Sequence, residues 1–73
     1  MKLSQTKVGE VKKIIKVLEG GVLKHRLFEM GIVPETKIKI IKIAPLGDPY
    51  IIEVRSYLLA LRKEIIDLII VED

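Results

Sequence analysis

Over residues 36–44 the chain reads Lys37-Ile38-Lys39-Ile40 and then Ile41-Lys42-Ile43. Strict alternation of polar and apolar residues marks a strand with one wet and one dry face. Here the alternation changes phase between Ile40 and Ile41. A β-bulge produces such a slip, because it sets two residues against one on the partner strand. The other option, a straight strand buried on both faces, strands Lys42 or its neighbours in apolar surroundings. A bulge bends its strand, and a small sheet needs bent strands to close. The slip therefore favours a curved sheet.

The same strand runs into Ala44-Pro45-Leu46-Gly47-Asp48-Pro49, and a second isoleucine-rich run follows at residues 50–54. Pro45 presets the φ of a turn's second residue, and Gly47 can take the positive φ of a tight reversal. Asp48 is suited to hydrogen-bond nearby backbone. Pro49, with no N–H, fits the start of a strand and not its middle. The reading is a hairpin. In the second run Tyr50, Ile52 and Val54 share one face, and Glu53 and Arg55 take the other.

Residues 10–18 fit two patterns. Val11, Ile14, Ile15 and Leu18 have helical spacing, while the odd positions Val11, Ile15 and Val17 fit one face of a strand. Their β-branched content leans toward strand. Gly20-Gly21 breaks what precedes it. Residues 22–30 predict a short helix with Leu23, Leu27 and Met30 on one face, Gly31 as the left-handed residue after it, and Pro34 beyond. Residues 57–61 form a short apolar piece, residues 63–67 a helical turn, and residues 68–71 a last strand. The expected fold is mainly β: a small, closed antiparallel barrel carrying one short helix.

Composition narrows the function classes. With 73 residues there is one domain, and with 49% hydrophobic but 4% aromatic residues its core is aliphatic. Cysteine is absent, which removes disulfides and thiolate metal sites and leans toward a reducing compartment. No apolar run reaches the ~20 residues that span a bilayer, and residues 1–6 lead into charge, so the expectation is a soluble cytoplasmic protein. Net charge is +3, divided as +6 over residues 1–42 and −3 over residues 43–73. Lys12, Lys13, Lys16, Lys37, Lys39 and Lys42 make a nucleic-acid-binding barrel the alternative reading. No aromatics are interleaved with them to stack on bases, so a wet strand face accounts for them better.

Enzyme chemistry has little to work with. Ser4 and Ser56 have no histidine nearby in sequence, a barrel of this size has no interior room for a substrate, and no phosphate-binding GxxxxGK[ST] loop occurs. No catalytic residue is assigned.

Arg26-Leu27, then Met30-Gly31-Ile32-Val33-Pro34, the isoleucine strand, the turn of residues 44–49 and Leu59-Ala60-Leu61-Arg62-Lys63 together resemble the FeoA family, ferrous-iron transport protein A. The resemblance runs from Val8 to Val71. The same module is similar to the C-terminal domain of iron- and manganese-responsive repressors. The resemblance implies an SH3-like barrel, a strand over residues 10–18 and a helix over residues 22–30. It also implies a cytosolic regulator working beside FeoB, a membrane ferrous-iron transporter with a nucleotide-binding part, rather than an iron carrier. The chain departs from the family at Glu35 and Ser56, where many relatives carry glycine, which counts against a tight turn at each place.

The candidate residues follow. His25 and Glu29, at i and i+4, could aim two ligand atoms the same way. Metal sites need three or four ligands and no other His or Cys exists, so an exposed helix face is the better account and any divalent metal is weakly or intermolecularly held. No cofactor is expected. Arg26 invites comparison with an arginine finger, although pairing with Glu29 explains it more simply. Partner contact through the helix would use Leu27, Phe28 or Met30 as apolar groups with Arg26 at the rim, and Leu46 at its turn tip is the other candidate. Leu27 and Met30 are also placed to be core. The expected assembly is a monomer or a weak homo-oligomer. A metal-responsive regulatory module is a third reading.

Overall fold

The computed structural model of the chain describes residues 1–18 and 20–73. The phase slip is a bulge. Strand β2 (Lys37–Ile43) pairs antiparallel with β3 (Tyr50–Val54), and the register passes from Ile40↔Ile52 to Lys42↔Ile51, leaving Ile41 as the extra residue. Before it, Ile38 and Ile40 point into the core with Ile52 and Val54. Two further strands, β1 (Val11–Val17) and β4 (Tyr57–Leu61), flank this pair, and β5 (Ile69–Val71) completes one antiparallel sheet in the order β4-β3-β2-β1-β5.

Strand β1 also carries a bulge, which the sequence pattern did not reveal. Its first half pairs with β2 and its second half with β5, and the register with β5 shifts between Ile14 and Lys16. Ile15 is the extra residue. Ile14 and Val17 consequently face the core together, while Val11 and Ile15 are exposed. The odd-numbered face expected of this strand is thus corrected. A bulge inserts one residue into a period of two, so core positions fall three apart and imitate a helix.

The ends of the sheet, β4 and β5, do not pair with each other, so the barrel is laced less completely than a closed sheet. The connection between them is α2 (Lys63–Ile66), whose Ile66 is fully buried. A 3-10 turn over Leu3–Gln5 places Leu3 in the same core. The core is aliphatic apart from Tyr50, and burying each of its Ile, Leu or Val side chains contributes about 1.5–3 kcal/mol.

Helix α1 (Gly21–Glu29) lies in the connection between β1 and β2. Its end is a Schellman motif: Gly31, at φ 93°, donates to the Phe28 carbonyl, and Ile32 N–H donates to that of Leu27. Leu27 and Ile32 are both buried, which supplies the apolar contact of that motif. Met30 does not join the buried face. The helix stops at Glu29, so Met30 falls on the cap and stays exposed.

Both tight turns form without glycine. Glu35 takes φ 78°, and Arg55 and Ser56 take φ 51° and 69°. Two positive φ values between Val54 and Tyr57 define the two-residue hairpin turn whose twist suits antiparallel strands. Arg55 therefore sits in the turn and not on a strand face. Glycine adopts this conformation freely, and Glu35, Arg55 and Ser56 reach it at some cost.

Candidate functional site

Helix α1 offers three kinds of surface. Successive residues step about 100° around a helix, so Leu23 and Leu27 share the side packed on the barrel. Leu27, expected as a docking group, is only 1% exposed and belongs to the core; it holds the helix down and cannot meet a partner. His25 and Glu29 fall on the opposite, outer side. His25 Nε2 stands 3.7 Å from a Glu29 carboxylate oxygen, and both side chains are well exposed. This is an ion pair when the imidazole is protonated. It joins two ligand types, and among the described residues no group of three or more His, Cys, Asp or Glu lies close enough to hold a metal.

Arg26 and Phe28 occupy different flanks of the helix, since they are two positions apart. The simple pairing of Arg26 with Glu29 is not what forms: Glu29 turns to His25, and Arg26 makes no ion pair among the described residues. On the other flank Lys24 Nζ lies 5.7 Å from the Phe28 ring centre, a cation–π contact worth about 0.5–1 kcal/mol at an exposed site. Phe28 is 37% and Met30 36% exposed. Arg26, Phe28 and Met30 are thus reachable from solvent, around a helix anchored by Leu27.

Leu46 is 96% exposed. Gly47 N–H donates to the Ala44 carbonyl at 2.8 Å, and Ala44 N–H donates to that of Pro49 at 3.0 Å, so Pro45 and Leu46 form the tip. Asp48 does more than its local sequence indicates. Its Oδ1 accepts from Lys63 N–H, 3.0 Å away, and its Oδ2 lies 3.7 Å from Arg62. The carboxylate satisfies an otherwise unpaired donor at the start of α2 and fixes the turn that displays Leu46.

The lysines do not form one surface. Lys13 and Lys37 are directly paired and Lys39 shares their face, but Lys12 lies opposite buried Ile38 on the other face. Carboxylates intervene: Glu53 stands 3.4 Å from Lys39 and Glu35 3.8 Å from Lys13. No helix of the described residues is long and apolar enough to cross a membrane.

Arg55, expected on a strand face beside Glu53, has a different place. Its side chain covers the backbone at Gly31, joining the β3–β4 turn to the end of α1. Only the need for glycine after the helix was readable; nothing in the pattern specified what would lie over it.

Five antiparallel strands, two of them bulged, with a helix set into one connection define an SH3-like barrel. All of residues 1–73 match the FeoA domain, and the chain belongs to the FeoA family. It is similar in structure to iron(II) transport protein A of Clostridium thermocellum, with 40% identity and a TM-score of 0.92 over 99% of this chain and 44% of that one. It is 36% identical over 64 residues to an Fe(2+) transport protein A/Fe(2+) transporter FeoB fusion protein of Porphyromonas gingivalis. That match takes in 88% of this chain and 8% of the fusion protein. The FeoA of Stenotrophomonas maltophilia, solved with zinc and described as an SH3 domain protein, has the same fold at 22% identity, with a TM-score of 0.83 over 99% of this chain and 89% of that one.

Proposed function

We propose that this chain is a non-enzymatic, cytoplasmic accessory of ferrous-iron uptake that acts by touching a FeoB-type transporter on its nucleotide-binding part. The observation that carries this reading is the fusion relative, in which a FeoA-like segment and FeoB share one polypeptide. A covalent tether raises the local concentration of two modules, so a modest contact surface suffices between them. Helix α1 offers exposed groups for it on both flanks, Arg26 on one and Phe28 on the other. Arg26, Phe28 and Met30 are exposed on a helix held to the barrel by Leu27, and Leu46 projects separately from a braced turn.

In this reading iron is the transporter's cargo and does not reside in the chain. His25 and Glu29 provide two ligand atoms, short of the three or four that a stable site uses. Calorimetric titration of a purified transporter's cytoplasmic part tests the proposal. Arg26→Ala, Phe28→Ala and Leu46→Ala should each weaken binding, and the helix variants should lose at least about 1 kcal/mol where the side chain is a true anchor. Unchanged affinity in Arg26→Ala and Phe28→Ala together removes the helix from the interface.

A further inference from the structure

Strand β4 ends the sheet with β3 on one side and, among the described residues, no strand on the other. The two-residue turn at Arg55-Ser56 makes Val54 and Tyr57 a hydrogen-bonded pair. Ladder bonds to β3 therefore fall at Tyr57, Leu59 and Leu61, and by alternation Leu58 and Ala60 turn their N–H and C=O groups to the open side. Among the described residues no loop, cap or side chain bonds to those groups. The other end of the sheet is treated differently. Val71 N–H donates to the Met1 carbonyl at 2.8 Å, the Met1 ammonium donates to the Val71 carbonyl at 2.9 Å, and Lys2 bridges to Ile70.

Folded proteins guard an open edge with a charge, a proline or a bulge. Tyr57-Leu58-Leu59-Ala60-Leu61 contains none of these, and its register with β3 is unbroken. Tyr57 and Leu58 are 66% and 64% exposed. The nearest charges stand beyond the strand: Arg55 before it, and Arg62 and Lys63 followed by Glu64 after it. Pairing of β4 with a second copy about Leu59 would set Arg55 against Lys63 and so oppose like charges. Arg62 and Lys63 have exposed ion pairs with Asp48 and Asp67, which hold them weakly.

We infer that the open edge of β4 accepts an extended partner segment as a sixth strand, apolar at alternate positions and acidic at both ends. Backbone bonds to Leu58 and Ala60 supply the pairing, Tyr57 and Leu58 the side-chain contact, and the flanking cations the selectivity. This inference does not rest on the role given to α1.

The probe is a synthetic peptide of alternating valine and threonine with aspartate and glutamate at its ends, titrated into the isotopically labelled protein. A second peptide carries lysine at those ends. The Leu58 and Ala60 amides should shift and gain protection from exchange with the acidic peptide, and the lysine-ended peptide should bind about tenfold more weakly or worse. Leu58→Glu, a change at an exposed side chain opposite Glu53, should abolish binding of the acidic peptide. Ala60→Pro, which removes one outward N–H, provides a second variant with the same expected loss. Equal binding of the two peptides, shifts confined to other strands, no binding, or dimerisation through β4 would each overturn the inference.

Discussion

Gly31 lies directly beneath the stem of Arg55: a β-carbon placed on Gly31 would stand 3.2 Å from Arg55 Cδ and 3.6 Å from its Nε. The contact couples the end of α1 to the β3–β4 turn. Gly31 also holds φ at 93°, where an L side chain is strained. Gly31→Ala should therefore cost about 1–2 kcal/mol, a drop of several degrees in Tm for a domain of this size. Adding Arg55→Ala should relieve the crowding but not the backbone strain, leaving part of the loss. Calorimetry on the two variants separates the contributions.

The opposite effect is expected at the hairpin. Ser56 occupies a left-handed conformation at φ 69° that glycine adopts freely. Ser56→Gly should raise stability by up to about 1 kcal/mol, as measured by chemical denaturation, because relief of strain outweighs the added freedom of the unfolded chain. An unchanged or lower midpoint would show that the Arg55-Ser56 turn is unstrained.

Asp48 carries a prediction about a distant element. Asp48→Ala removes the acceptor for Lys63 N–H and the partner of Arg62. A lost cap costs about 1 kcal/mol, and hydrogen exchange should rise at α2 as well as in the turn. Exchange confined to residues 44–49 would contradict the bracing role.

Acid should weaken the fold partly through Asp67. The Ser4 hydroxyl, foremost, and the Lys63 ammonium 3.2 Å away hold its carboxyl below the ordinary 3.8. A carboxylate whose pKa is depressed in the folded state adds stability at pH above that ordinary value, and the contribution is lost as pH falls through the folded pKa. Between neutrality and about pH 5, Asp67 should have little influence on the slope of stability with pH. Below its ordinary 3.8 Tm should fall, and Asp67→Asn should fall less steeply there.

Much of this fold could be read from alternation. The slip at Ile40-Ile41 announced the bulge because isoleucine and lysine change places on a strand with one dry face. The slip at Ile15 stayed hidden, since the long-range switch of β1 from β2 to β5 creates it and Val11 and Ile15 are apolar although exposed. The helix was legible from Leu23, Leu27 and Gly31, but Met30 was misplaced, since it is the cap residue beyond the last helical position and stays exposed. Arg26, Phe28 and Leu46 could be named as candidates from residue type and position. Their exposure depends on tertiary packing, as do the positions of Asp48 at α2 and Arg55 over Gly31, which join residues far apart in the chain.

The central claim is that α1, seated on Leu27, presents Arg26, Phe28 and Met30 to the transporter. Its most direct measurement is a map of amide shifts in the labelled chain as a transporter's cytoplasmic part is titrated in. Shifts gathered on α1 and its cap, and diminished by Arg26→Ala, are the predicted result. Shifts confined to the lysine face of β1 and β2, with α1 silent, would contradict it.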